Sequence, residues 1–569
     1  MSKLLTRRSS VALALLAVSL AVTATSATAA TKKAATKAPA KKAVTKKATP
    51  TAAPTTVAKA APTTVVAPAA TAAPTTAVAA KKGPSGKIGD QLTIAIAAAP
   101  NSLNPALANV GTANLNINPT YASMLYMNKD RSYSGDIAEK WGYTDGFNEQ
   151  FEMTVRSGLK FADGTPLDGA AAAASLNYYL KSGLNRAAWL GNVSSITNRG
   201  NTVVVKMSAP TPDLERVFSS DKLAGAIISP AGLADPAKMA TASYGAGAYV
   251  LDSGATTPGS SYTMVPNKNF WNPAQQNWKK IVIRVVPDAN AVIQAMQTGQ
   301  IDYSGQLTGA NVAAAKSAGL SIDLAAGAAF YAQLADRGGE LTSAIGDLKV
   351  RQAMNLALDR APICKAVFGD AATPMYQIQI AGVDGSDPEL DKLYPFDLAK
   401  AKKLMSESLF PNGFNLSIEA ANQAGFNILG QAVAQQWKAI GINVDITNSP
   451  NVPAGQALHA AKRFSVYITA NGLNPTPLLA GLHVFSPGNR YNPWGTVDAG
   501  INDVLKQAYS LPQAEAEKLY RKAWRRSAEL AWQAPLCTSQ AVIAAAKSVS
   551  GWDVPNGGNP PSAMDLYPS

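Results

Sequence analysis

Two histidines and two cysteines are scattered through the 569 residues of this chain, and their scarcity bounds the chemistry it can perform. His459 and His483 stand 24 positions apart, outside any His-Glu-x-x-His pattern. The chain also has no Gly-x-Ser-x-Gly elbow and no Gly-x-x-x-x-Gly-Lys-Ser/Thr loop to cradle phosphate. A Ser-His-Asp or Cys-His site would have to recruit one of these two isolated histidines, and each reads more readily as a core or surface residue. The 37 acidic residues always offer some carboxylate pair, so acid-base chemistry is unsupported rather than excluded. No catalytic residue, metal ligand or cofactor site is assigned, and no enzyme activity is expected. A secreted hydrolase would show turnover that vanishes when His459 or His483 is replaced.

The elements that could position a binding site begin at Gly89. From there, short β-rich runs alternate with amphipathic segments, the pattern of an α/β protein. Residues 92–96, 202–207, 281–286, 414–418 and 442–446 read as strands. Helices are expected over 168–182, 289–298, 347–367, 397–409, 425–440, 498–509 and 513–531, with Asp288 and Asp397 where N-caps are wanted. Cys364 and Cys537 are too few to scaffold so long a chain, so a core must carry stability. An oxidising compartment would let the two pair, and two separately buried thiols fit the sequence equally well.

The first thirty residues have the three parts of a secretory signal: Lys3, Arg7 and Arg8, then an apolar stretch to about Val22, then Ala27-Thr28-Ala29. The stretch is short for a bilayer span, which needs roughly 20 residues. The first cysteine is Cys364, so no lipid anchor at the cleavage point is expected. Residues 31–88 are almost entirely Ala, Thr, Lys, Pro and Val, a composition that cannot bury enough apolar surface to order itself and reads as an extended tether. Residues 1–88 carry 14 of the 51 Lys+Arg and none of the 37 Asp+Glu, leaving 37 of each from residue 89 onward. The basic balance therefore belongs to the leader and tether, which could hold the protein near an anionic wall or membrane surface by screened attraction. Nucleic acid is not an expected partner of an exported chain.

Several spaced segments resemble one family. Asn101-Ser102-Leu103-Asn104-Pro105 is similar to its "sLNPa" segment. Ile137-Ala138-Glu139-Lys140-Trp141, followed by residues 151–167 with Phe161-Ala162-Asp163-Gly164-Thr165-Pro166-Leu167, resembles "LAekW…ytftLRkgvkFhDGtPl". Gly245 to Tyr249 resembles "GTGPY", Asn267 to Trp271 "NpdYW", and residues 285–302 "vpdasaraqAlqsGeiD". Leu348 to Arg360 is similar to "dvrVRqAlnyAiDR". Together these segments identify the chain as a member of the peptide/nickel class, family 5, of extracytoplasmic solute-binding proteins that serve ABC importers. Physically, most of them read as scaffold. Asp163-Gly164-Thr165-Pro166 is a turn sequence, and Arg351 and Arg360, expected on one helix, serve carboxylates or helix ends rather than ligand.

The resemblance implies a two-lobed periplasmic-binding-protein-like fold with an additional inserted domain and a hinge between lobes. Mapped here, the first lobe takes residues 89–130, 240–325 and 540–569, the inserted second 131–239 and the third 326–539. A monomer that closes on a small peptide-like or other polar solute and then docks on a membrane permease is expected. The alternative is a surface-tethered sensor or adhesion protein on the same scaffold. In peptide-binding members an Asp in a segment like "W-x-a-D-Y-p-D-P" pairs with the peptide α-ammonium. Aligned on Pro475, that position is Asn471, flanked by Thr469, Ala470 and Gly472. A buried ammonium facing an amide instead of a carboxylate loses about 2–5 kcal/mol, so a neutral, blocked or non-peptide solute is expected. The same mapping places Asn101, Ser102, Tyr331, Tyr376, Gln379, Asn489 and Tyr491 at the ligand. Nickel finds little ligand support with two His and no Cys/His cluster.

Overall fold

The structure, a computed structural model, describes residues 86–108, 115–130, 132–181, 190–379, 385–422, 425–472, 481, 484–489, 491–554 and 560–569. The signal, nearly all of the tether, His483 and Leu473 to Pro475 fall outside the described residues.

The strands that position the site are β1 (Leu92–Ile96), β2 (Leu125–Met127), β3 (Tyr133–Gly135), β4 (Ala138–Tyr143), β5 (Gln150–Val155), β6 (Val193–Arg199), β7 (Thr202–Met207), β8 (Tyr249–Leu251), β9 (Ser261–Pro266), β10 (Ile281–Val285) and β11 (Tyr303–Leu307). They continue with β12 (Ser321–Leu334), β13 (Ala372–Pro374), β14 (Phe414–Glu419), β15 (Ile442–Thr447), β16 (Val466–Gly472) and β17 (Gln533–Ala545). Ten of them form one sheet in the order β8-β9-β10-β1-β11-β17-β12-β16-β14-β15, and β13 adds to β17. A separate four-stranded antiparallel sheet has the order β4-β5-β7-β6.

Burial follows from strand periodicity. In β5 every second residue, Phe151, Met153 and Val155, is buried. These pack with Val203 and Val205 of β7 and with Leu176 and Tyr179 of α1 (Gly169–Lys181) in a core of their own. By contrast, all five residues of β1 are buried, as expected for a strand covered on both faces. Leu92, Ile94 and Ile96 face one core, while Ala95 faces another beside Val292, Ile293 and Met296 of α2 (Ala289–Gln297). The far end of the large sheet buries Phe330, Ala332, Val466 and Ile468 under α3 (Leu348–Leu356), α4 (Arg360–Phe368) and α6 (Phe426–Lys438). A further core forms between α7 (Ala499–Ala508) and α8 (Gln513–Glu529) around Phe485, Trp524 and Trp532.

Asp288 caps α2 by accepting from Ala291 N at 2.7 Å, and Asp397 caps α5 (Leu398–Ser406) by accepting from Lys400 N at 2.8 Å. The single helix expected over 347–367 is two, α3 and α4. Pro362 explains the break: it has no N–H for the carbonyl of Leu358, and its ring would clash there, so the chain leaves the helix and restarts with Pro362 in the first turn. Arg351 and Arg360 therefore sit on different helices. Arg351 donates to the carbonyls of Ile345, Gly346 and Leu530, and Arg360 to those of Pro535, Tyr394, Leu358 and Asn355. Arg351 joins helix ends to one another and Arg360 ties α4 to β17, both through carbonyls. Asp163-Gly164-Thr165-Pro166 is a turn in which Gly164 takes φ +89° and the Asp163 carboxylate accepts from Thr165 N at 2.9 Å.

Cys364 of α4 and Cys537 of β17 form a disulfide across 173 positions, with Cα atoms 5.6 Å apart. Both are buried in the core beneath Phe330. Among the described residues no helix is long and apolar enough to cross a membrane.

Candidate functional site

Strand direction creates the site. β1, β10 and β11 run parallel, as do β14, β15 and β16, yet β16 is antiparallel to β12 while β11 runs the same way as β12 because both oppose β17. The two parallel groups therefore point their carboxyl ends toward one another. β11 ends at Leu307, level with Val542 and hence Leu324; β16 ends at Gly472, level with Ala328. Four residues of β12 separate the two ends, about 13 Å at strand rise. Crevices outside the carboxyl ends of parallel strands are where α/β sheets bind ligands.

β17 pairs with β11 of the first group and β12 with β16 of the second, so the two groups are joined through the β12–β17 pair, whose pairing is irregular. The register slips between Ala326 and Ala328, leaving Gly327 out of the ladder, and slips again between Phe330 and Tyr331. A Cβ on Gly327 would collide with the Ser539 carbonyl, so the two chains approach here as only glycine permits. Bulges bend strands, and this one lies between the levels at which β11 and β16 end.

Thr469, Ala470, Asn471 and Gly472 are the last four residues of β16. Thr469 stands opposite Tyr331 and Asn471 opposite Ala329, so strand alternation puts Tyr331, Thr469 and Asn471 on one face. Tyr331 and Thr469 are buried, while Asn471 is partly exposed near the strand end. The Tyr491 hydroxyl donates to the Ala470 carbonyl at 3.3 Å, and Gln333 Nε2 donates to the Tyr491 carbonyl at 2.6 Å. Asn489 shapes that loop by accepting from the N–H groups of Tyr491 and Asn492 at 2.7 and 3.0 Å. The structure thus joins Tyr331, Asn471 and its neighbours, Asn489 and Tyr491 in one assembly.

Tyr376 and Gln379 are placed elsewhere. They line a cavity of about 20 Å³ with Trp524, Gln533 and Pro535, room for roughly one water. The Tyr376 ring lies 4.9 Å from the Arg360 guanidinium. This pocket adjoins the first assembly through Pro535, which pairs with Tyr331. Asn101 and Ser102 belong to the loop leaving the carboxyl end of β1, which three strands separate from β16 in sheet order. Asn101 Nδ2 donates to the Leu107 carbonyl at 2.9 Å, and the Ser102 hydroxyl accepts from Asn104 N at 3.1 Å. Asn104 in turn accepts from Ala106 N and donates to the Tyr178 hydroxyl, both at 2.9 Å, so this segment builds its own loop.

His459 is a core residue. Its Nε2 is 2.6 Å from the Glu419 carboxylate, which also accepts from the Ser449 hydroxyl, and its ring stacks on Tyr467 at 3.7 Å. Tyr467 precedes Thr469 by two on β16, so this buried pair braces the strand that carries Asn471. Two features escaped the sequence reading. One is Gly327, an unremarkable glycine in an Ala-rich run. The other is Arg337, buried just past β12, which donates to Asn492 Oδ1 at 2.9 Å and lies 4.2 Å over the Trp532 ring. Burial pushes its pKa down to about 9. Its role depends on loops 150 or more positions away, and no local pattern announces that.

Residues 132–493 match the family described as bacterial extracellular solute-binding proteins, family 5 middle. The glutathione-binding protein GsiB of Escherichia coli O1:K1 is 24% identical over 493 residues, covering 82% of this chain and 93% of that protein. Among solved structures, the binding protein AgaA of Agrobacterium tumefaciens R10, in complex with agropinic acid, superposes with a TM-score of 0.71 at 21% identity, covering 84% of this chain and 99% of that one. The ABC transporter-associated periplasmic binding protein DppA of Helicobacter pylori, in complex with the peptide STSA, gives 0.70 at 19% identity, covering 85% and 99%.

Proposed function

Because this chain belongs to the bacterial extracellular solute-binding proteins of family 5, we propose that it is the exported substrate-binding component of an ABC importer. It traps a polar, peptide-like solute between two lobes and hands it to a membrane permease. The observation that carries the reading is the head-on arrangement of the two parallel strand groups across β12 and β17, which leaves the carboxyl end of β16 facing the crevice. In this reading the lobes are residues 89–130, 240–325 and 540–569 against 326–539, with 131–239 inserted. Distinct cores for residues 326–539 and for the strands around β1 support separating the first and third lobes, whereas the core of 131–239 also takes in Leu103 to Leu125 and Ala246. Closure bends the crossing strands at Gly327, and a solute drives it by its differential affinity for the closed form. The protein acts as a monomer without catalysing a reaction or carrying a lipid. Residues 31–88 hold it close to anionic envelope polymers.

Asn471 decides the solute class. It holds the strand-end position where an ammonium-binding carboxylate would stand, and an amide offers a dipole but no charge. The solute therefore lacks a free, buried α-ammonium; an acylated, cyclised or otherwise blocked peptide fits. Main-chain groups at the end of β16 can hold such a backbone as an added strand. Isothermal calorimetry on the full exported chain tests this. An N-acetylated tripeptide should bind more tightly than the same tripeptide with a free amine, and Asn471→Asp should raise affinity for the free form by about 30-fold or more, the low end of a desolvated charge pair. Tight binding of ordinary free peptides by the wild type would refute the solute class. Failure of every peptide, free or blocked, together with normal uptake in a deletion strain, would refute the transport reading.

A further inference from the structure

Two bodies stand at the carboxyl ends of the two strand groups. The loop leaving β1 is bonded to the first, where Asn104 Nδ2 donates to the Tyr178 hydroxyl of α1 at 2.9 Å. That body has its own core, built on the four-stranded sheet and α1. The second holds the core between α7 and α8, and the chain reaches it at Val484 and Phe485 soon after β16 ends at Gly472.

Away from the large sheet the two bodies meet again. The turn between β4 and β5 presents Asn148. Its Asp145 carboxylate accepts from Phe147 N and Glu149 N, both at 3.1 Å, and Thr211 N donates to the Asn148 carbonyl at 2.9 Å. Asn148 takes φ +56°, a left-handed conformation that Asn tolerates better than most residues. Its Nδ2 then donates to the Tyr509 carbonyl at 2.9 Å. Tyr509 ends α7, its N–H closing the last turn on the Leu505 carbonyl. Carbonyls at a helix end have no intrahelical partner, so the first body supplies a bond that the second lacks. A Cβ on Gly481 would lie 2.3 Å from the Tyr509 hydroxyl, so the same residue also touches the segment that follows β16.

Acids and tyrosines flank this contact. On the first side, the Tyr143 hydroxyl of β4 donates to the Thr211 carbonyl at 2.6 Å and accepts from Leu214 N at 3.1 Å, beside Asp213 and Glu215 of the short helix Leu214–Val217 and its N-cap. On the second stand Tyr509 and Tyr520. Burial and then Asp213 hold the Tyr509 hydroxyl above its usual range, and burial followed by Glu215, Asp213 and Tyr520 does the same to Tyr143. Among the described residues Tyr133 of β3 completes the set, its hydroxyl raised by burial and acted on by Arg216, Asp213, Asp221 and Glu215. Arg216 and Lys222 are committed to Asp221 at 2.8 and 3.1 Å.

We propose that this contact is a latch: segment 131–239 holds the two bodies together over the crevice and lets go of α7 when the crevice opens. The proposal rests on the lobe division above and gives the inserted segment its task. Bending at Gly327 swings the bodies apart, and the end of α7 then exchanges the Asn148 amide for water. The difference is one neutral hydrogen bond, or about three- to tenfold in the ratio of parted to latched forms. Such a catch biases the closed form and still releases in every cycle.

Acidity tightens the latch. Burial raises the Glu215 pKa to about 7, with Asp213 adding to it. Parting withdraws Tyr509 and Tyr520 and wets this carboxyl, which returns toward the ordinary range near 4.3. The parted form therefore gives up its proton at lower pH, and latching, full below about pH 4.3, weakens as pH rises to about 7.

Spin labels at Ser194→Cys on β6 and Lys518→Cys on α8, one on each body, report their separation by double electron–electron resonance in the full exported chain; Cys364 and Cys537 are joined to each other and take no label. No solute is needed, so the result is independent of whether the proposed solute class or the transport reading holds. The wild type should give a short distance at pH 5 and a growing longer one toward pH 8. Asn148→Gly accepts the same backbone conformation without the amide, and Asn148→Asp cannot donate. Each should raise the ratio of longer to shorter distance by about three- to tenfold, and Glu215→Gln should keep the short distance at pH 8. Asn148→Asp carries the test if Asn148→Gly does not fold. The proposal is overturned if the Asn148 variants keep the wild-type distances, or if Glu215→Gln follows the wild type across the pH range.

Discussion

Replacing both Cys364 and Cys537 with alanine should lower the melting temperature by an amount that also reveals how the protein unfolds. The bridge spans 173 positions, and closing a loop that long removes about 17 cal/mol/K of entropy from the unfolded chain, or about 5 kcal/mol at 25 °C. Both side chains are buried and small, so alanine keeps most of the packing, and the expected loss is about 3–5 kcal/mol. Unfolding entropy is about 2.1 cal/mol/K per residue, so a folded part of about 480 residues melting as one unit has about 1 kcal/mol/K. The shift is then about 3–5 °C. If residues 326–539 melt separately, their entropy is less than half as large and the same loss moves their transition by about 7–11 °C. Differential scanning calorimetry of the oxidised wild type, the reduced wild type and the double variant measures this directly. A shift below about 1 °C in both reduced and double-variant protein would refute the account, because the constraint on the unfolded chain would then be absent.

Two further outcomes follow. Gly327→Val forces a side chain against the Ser539 carbonyl; overpacking of this kind costs about 1–3 kcal/mol, and ligand-induced compaction measured by small-angle scattering should shrink or vanish. Unchanged compaction would remove Gly327 from the hinge. Glu215, on the short helix Leu214–Val217, has its pKa raised to about 7 by burial, with the neighbouring Asp213 adding to it, and burial raises Asp136 to about 6. Between the ordinary carboxylate range near 4.3 and these values, the folded protein holds protons that the unfolded chain releases. Stability should therefore fall as pH rises from about 5 to 7.5, and Glu215→Gln should flatten that slope in urea titrations. An unaltered slope would mean that Glu215 does not titrate in this window.

The likeness to the family was legible in short segments because each encodes a local necessity. Asp163-Gly164-Thr165-Pro166 makes a tight turn whose glycine takes positive φ, and Asp288 and Asp397 supply caps that helices require wherever they occur. The strands at 92–96 and 202–207 were readable to the residue because their apolar, β-branched runs have no stable alternative to burial in a sheet. The helix at 347–367 was misjudged because its apolar spacing continues past a proline that the backbone cannot accommodate.

Composition alone also placed the chain's basic excess in residues 1–88, and the family resemblance aligned Asn471 with an acid of peptide-binding members. Tertiary structure decided everything that rests on pairing between distant segments. Gln333 meets Gln533 only because β12 and β17 share one sheet, and the level at which β16 ends follows from its own pairing with β12. The same holds for the disulfide, for His459 against Glu419, and for Asn148 against Tyr509. Local sequence sets φ, ψ and capping through interactions a few residues long. Which faces meet is settled by the burial of whole sheets at once, and that information is spread over the chain.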